Sequence, residues 1–88
     1  MTKKDKFKRL FKNFMNEGAE YIGVFIKVPN LEQPELILNM SCNAEKKLEY
    51  YLNAYNDDMQ LKTENSVEMI SITGAIYLED IEDNARAI

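Results

Sequence analysis

At Gly18 the hydrophobic period of the chain changes from that of a helix to that of a strand. Before it, Phe7, Leu10, Phe11, Phe14 and Met15 recur at i, i+3, i+4, i+7 and i+8, which places one apolar stripe on a helix over about residues 4–17, with glycine where such a helix ends. After it, Ile22, Val24, Ile26 and Val28 alternate with Tyr21, Gly23, Phe25 and Lys27, the period-two pattern of a strand with both faces partly apolar. Neither element can keep its apolar side in water, so the two must pack together.

The same alternation of periods runs through the rest of the chain. Pro29 and Pro34 bracket a loop, after which Leu36, Leu38 and Met40 alternate with Glu35, Ile37 and Asn39; an antiparallel hairpin over about 20–40 is predicted, with Leu36 and Leu38 in the core. Ala44, Leu48, Tyr51, Leu52 and Tyr55 repeat at helical spacing behind Ser41 or Asn43 as the cap, predicting a second helix over about 44–56, ended by Asn56-Asp57-Asp58. A second hairpin over about 59–78 follows, with a turn at Glu64-Asn65-Ser66 and a long strand Val67–Leu78 in which Gly74 reads as a bulge. The last segment, 79–88, is acidic, and Ile81, Ala85 and Ile88 leave room for a short C-terminal helix.

The order α-β-β-α-β-β predicts one domain over residues 1–88, a two-layer α+β sandwich in which two helices cover a mainly antiparallel four-stranded sheet built of two hairpins. With 45 % apolar residues, four phenylalanines and five tyrosines, 88 residues build one modest core and no second domain. No apolar run reaches membrane-spanning length, and the basic start lacks the apolar stretch of a secretory signal, so a cytoplasmic protein without membrane contact is expected. The single cysteine and the absence of histidine fit a reducing compartment and remove the usual structural zinc sites.

Charge is unevenly distributed. Residues 1–12 carry Lys3, Lys4, Lys6, Lys8, Arg9 and Lys12 against Asp5 alone, while the remaining five bases face fourteen acids, within a formal net charge of −4. Cys42 precedes the second helix, but no histidine base serves it, so no catalytic residue is expected. The acids Glu79, Asp80, Glu82 and Asp83 lack the spacing and glycine of a calcium loop, and no glycine-rich phosphate loop occurs; neither metal nor cofactor is expected.

The stretch Pro34-Glu-Leu-Ile-Leu-Asn39, with Lys47-Leu-Glu-Tyr-Tyr-Leu-Asn-Ala-Tyr-Asn-Asp-Asp-Met-Gln-Leu-Lys62, resembles small uncharacterised proteins encoded by phages and prophages of Gram-positive bacteria. The likeness spans about Tyr21–Leu78 and implies a setting, a host cytoplasm, without assigning an activity or site residues.

Binding to another macromolecule is therefore the expected mode of action. The candidate protein-contact residues are Glu45, Glu49, Tyr50, Asp57, Asp58, Glu79, Asp80, Glu82 and Asp83: spread carboxylates can imitate a phosphate backbone and occupy a nucleic-acid-binding protein, and Tyr50, off the apolar stripe, offers rigid contact area. The alternative is direct nucleic-acid binding through Lys6, Lys8, Arg9 and Lys12, against which the pI near 4.8 counts. A homodimer is expected over a monomer, paired through Val67–Leu78 should that long, isoleucine-rich strand lie at a sheet edge.

Overall fold

Thr2 starts the first helix. Its side chain accepts the backbone N–H of Asp5 at 3.1 Å while its own N–H donates to the Asp5 carboxylate at 3.2 Å, a reciprocal capping box that opens α1, Lys3–Asn16. These bonds favour the charged form and hold the Asp5 carboxyl below its ordinary value. Gly18, at φ +82°, ends the helix in the left-handed region that favours glycine. The computed structural model describes residues 1–88.

The elements that follow are β1 (Tyr21–Lys27), β2 (Glu35–Met40), α2 (Ala44–Ala54), β3 (Gln60–Leu61), β4 (Glu64–Ala75) and β5 (Arg86–Ala87), with 3-10 turns at Ser41–Asn43 and Leu78–Asp80. The sheet is antiparallel in the order β2-β1-β4-β3, and β5 pairs with β4. The two-layer α+β reading holds, with five strands rather than four. Beyond the two-residue β3, the outer edge of β4 is open, and the C-terminal residues fill it: Ser71 pairs with Ala87, Ile72 with Arg86, and the Ile88 N–H donates to the Ile70 carbonyl at 3.0 Å. That pairing gives the tail backbone bonds and docks Ile88 on the core, so a strand forms there instead of a C-terminal helix.

Register decides which side chains face the helices. Ile22 pairs with Asn39 and Gly74, and Val24 with Ile37 and Ile72, so these residues share one face. Tyr51 of α2 reaches that face, its hydroxyl 3.1 Å from Asn39 Nδ2, and Asn39 also donates to the Ile22 carbonyl at 3.2 Å. The phase predicted for β2 is thus inverted. Ile37 and Asn39 point to the helices, while Leu36, Leu38 and Met40 lie on the opposite, open face beside Tyr21, Gly23 and Phe25. Asn39 hid the true phase, because a buried amide breaks a hydrophobic pattern while its bonds to Tyr51 and Ile22 offset its desolvation.

The core lies between this face and the helices. Phe7, Phe11, Ile22, Val24, Met59, Met69 and Ile72 are fully buried, with Leu10, Leu48, Tyr51 and Tyr55 around them. Phe14, Leu52 and Ile70 are half-buried, at the margin rather than the centre. Between Phe25 and Ile26 the pairing on β4 jumps from Ser71 to Met69, so the bulged residue is Ile70 and not Gly74. Gly74 serves a different purpose, a close approach of α1: a methyl built on it would lie 2.4 Å from Phe14 Cδ1.

The second half departs in boundaries. Helix α2 ends at Ala54, two residues early, because Asn56 builds a turn in which its side-chain oxygen accepts the N–H groups of Asp58 at 3.0 Å and Gln60 at 2.9 Å. Met59 follows in the left-handed region, φ 58°, fully buried. The hairpin turn sits at Lys62–Thr63 rather than at Glu64-Asn65-Ser66, and β4 stops at Ala75 rather than at Leu78. Because β1 flanks β4 on one side and β3 and β5 on the other, β4 is interior, and pairing of two chains through it is closed off.

Burial raises the Tyr51 phenol above its ordinary value and the Tyr55 phenol to about 12. The folded state therefore holds a proton on Tyr55 after the unfolded chain, titrating near 10, has released it. The stability from this burial is complete below pH 10 and is lost as the pH climbs toward 12. Denaturant midpoints measured across that window should fall progressively for the native chain and less steeply for Tyr55→Phe; parallel curves would contradict the burial.

Candidate functional site

The sequence-predicted contact residues separate onto two sides of the sheet. Glu45, Glu49 and Tyr50 belong to α2 on the helix side, and Asp57 and Asp58 follow its end, where the Lys4 N–H donates to the Asp57 carbonyl at 3.1 Å. Glu79, Asp80, Glu82 and Asp83 belong to the segment that turns back after β4. That segment lies on the open side, because Thr73, next to Ile72 and opposite Gly23, donates its hydroxyl to the Ile81 carbonyl there. No single acidic surface joins the two sets.

On the helix side the acids have basic neighbours. The N-terminus of α1 meets the end of α2, where Lys4 Nζ donates to the Tyr55 carbonyl at 2.7 Å, so the helices run antiparallel. Between them lies a groove of 400 Å³ with Lys8 and Lys12 on one wall, Glu45 and Glu49 on the other, and Met15, Leu48 and Leu52 beneath. This juxtaposition sets bases across the groove from the predicted acidic patch on α2 and divides the basic set, since Arg9 instead lines a small recess with Arg86 of β5. Tyr50 is exposed as predicted, with Lys47 Nζ 5.7 Å from its ring centroid.

On the open side the returning segment is a defined structure. Ile81 is buried, its carbonyl held by Thr73; Asn84 donates to the Gly74 carbonyl at 2.9 Å; and the turn Leu78–Asp80 is closed by the bonds of Asp80 N–H to Tyr77 and of Ile81 N–H to Leu78. Ahead of these anchors Ile76, Tyr77 and Leu78 stand 55, 65 and 52 % exposed in succession. The acids Glu79, Glu82 and Asp83 are exposed directly behind them, and Asp80 half so. A cavity of 320 Å³ lies where this segment meets the end of α1, lined by Phe14, Glu17, Tyr77, Asp80 and Asn84 among others.

Sequence reasoning took Ile76 and Leu78 for the end of the long strand Val67–Leu78 and so missed the apolar half of this surface. The signal present was the crowding of Ile76-Tyr77-Leu78 against Glu79-Asp80, too dense for alternation to continue. Cys42 is exposed on the turn Ser41–Asn43. No group of three or more His, Cys, Asp or Glu converges in a way that could hold a metal ion, and no helix is long and apolar enough to cross a membrane. Compared with known proteins, the chain matches no family model, no curated protein and no solved structure.

Proposed function

We propose that this chain acts without catalysis, by binding another protein through the acidic return that crosses the open side of its sheet. One observation carries the reading: three consecutive large apolar side chains, Ile76, Tyr77 and Leu78, are held in water on a segment anchored through the Ile81 carbonyl and the Asn84 side chain. Large apolar groups exposed on an ordered backbone lose little entropy on docking, and tyrosine is the residue type most enriched at binding hot spots alongside tryptophan and arginine. Glu79, Asp80, Glu82 and Asp83 supply the polar rim, and their charge selects a partner with a basic surface and speeds its approach.

The partner class is a protein that itself binds nucleic acid, whose phosphate-binding groove the carboxylates occupy. The resemblance to phage-encoded proteins supports a host or phage protein in a Gram-positive cytoplasm as that partner. A second reading, nucleic-acid binding through α1, is favoured by one feature the fold adds, the approach of Arg86 to Arg9. Against it, Lys8 and Lys12 look across the groove at Glu45 and Glu49.

The experiment is an affinity capture from a Gram-positive lysate with three forms of the chain: native, Tyr77→Ser with Leu78→Glu, and Lys8→Glu with Arg9→Glu and Lys12→Glu. A stoichiometric protein retained by the third form and lost from the second is the expected result. Salt-sensitive DNA binding abolished only in the third form would replace this reading with the nucleic-acid one.

A further inference from the structure

We infer that β2 is a self-pairing edge, through which two copies of this chain join into one continuous sheet across a two-fold axis. The edge is separate from the acidic return, and its occupant follows from its own backbone. The Ser41 N–H donates to the Glu20 carbonyl at 2.9 Å, which sets the phase of the ladder. Pairs continuing in that phase, Ile22 with Asn39, Val24 with Ile37 and Ile26 with Glu35, are the hydrogen-bonded ones, and those between them, Tyr21 with Met40, Gly23 with Leu38 and Phe25 with Leu36, are not. Leu36 and Leu38 therefore aim their N–H and C=O groups, and Met40 its N–H, away from β1, and no strand lies beyond β2 to receive them, while the Met40 carbonyl starts the 3-10 turn Ser41–Asn43.

The same residues put apolar side chains on the open face at that edge, with Leu38 40 % and Met40 48 % exposed. Edges meant to stay single usually carry a lysine, a proline or a bulge. Glu35–Met40 contains none of these, and its only charge is at its first residue.

The strand also complements itself. With the two-fold axis at Leu38, that residue faces Leu38 of the second copy, and both turn their free backbone groups toward each other. Leu36 then faces Met40 of the second copy, Ile37 faces Asn39, and Glu35 faces Ser41, so leucine and methionine meet on the open face and no charge opposes a like charge. A strand of this length spans about 20 Å. Its backbone edge alone falls short of the roughly 1,200 Å² at which stable interfaces begin, so the joined Leu36, Leu38 and Met40 side chains must complete the contact. The dimer is consequently concentration-dependent rather than permanent.

Sedimentation velocity over a wide concentration series tests this on the full chain. The native mass should move from 10.3 kDa toward twice that value. Leu38→Lys, which sets two ammonium groups facing each other on the axis, and Met40→Lys should both stay at 10.3 kDa with native circular dichroism. The Tyr77→Ser, Leu78→Glu form should dimerise as the native chain does, which separates this edge from the partner-binding surface. Amide chemical shifts of the native protein that change with concentration at residues 35–41 would locate the contact independently of any variant's folding. A native mass fixed at 10.3 kDa, a dimer that both lysine variants retain, or shifts confined elsewhere would each overturn the inference.

Discussion

Phe11→Ala should destabilise the domain by about 3–5 kcal/mol, the usual range for emptying a buried phenylalanine site. Phe11 is fully buried where α1, α2 and the sheet converge, its ring edge-on to Phe7 at 5.6 Å and tilted against Tyr51 at 6.5 Å. Neither neighbour can collapse into the void without cost: Phe7 is itself fully enclosed, and Tyr51 is tethered by its hydroxyl to Asn39. A domain of this size has about 5–10 kcal/mol of total stability, so the loss is a large share of it, and the melting temperature should fall by roughly 15 °C or more. Leu52→Ala, at a half-buried position on the margin of the same helix, should cost distinctly less. Equal losses at the two positions in thermal denaturation would show that the core is not centred on Phe11.

That contrast also marks how far the sequence carries. The stripe Phe7, Leu10, Phe11 and the alternation Ile22, Val24, Ile26 were legible because each repeats often enough for periodicity to exclude the other period, and all of them are buried. The face of β2 was not legible. In Leu36-Ile37-Leu38-Asn39-Met40 an apolar residue sits on both phases, and the asparagine that breaks one phase belongs to the inner face, where its bonds to the distant Tyr51 and Ile22 make it acceptable. The fifth strand was invisible for a related reason: Arg86-Ala87 has no strand pattern of its own and becomes a strand because the outer edge of β4 is vacant beyond β3. The candidate site was legible in its charges and not in its anchors. Glu79, Asp80, Glu82 and Asp83 announce themselves by composition, whereas the exposure of Ile76, Tyr77 and Leu78 depends on where β4 ends, which tertiary bonds of Thr73 and Asn84 determine.

Gly74→Ala tests a contact whose sign is opposite to the ordinary expectation. Glycine within a strand is normally unfavourable, and replacing it by alanine where the backbone is compatible stabilises a protein by about 0.4–1 kcal/mol, since the unfolded chain loses freedom. Gly74 has an ordinary strand backbone, so nothing in its dihedral angles forbids alanine. Space does. The added carbon would lie 2.4 and 2.5 Å from Phe14 Cδ1 and Cγ, and 2.9 Å from Phe14 Cβ. A ring can rotate away, but Phe14 Cβ is fixed to α1, so the helix must lift from β4 and loosen the packing of Phe7 and Leu10 along the same stripe. Overpacking of this kind costs about 1–3 kcal/mol, and the contact at Cβ puts this case toward the upper end. Truncating the ring should relieve part of it, so the double variant Gly74→Ala, Phe14→Ala should be more stable than the sum of the two single losses predicts. Urea denaturation of the four proteins measures both effects. A stabilised Gly74→Ala, or strict additivity in the double variant, would mean that α1 does not rest on β4 at this point.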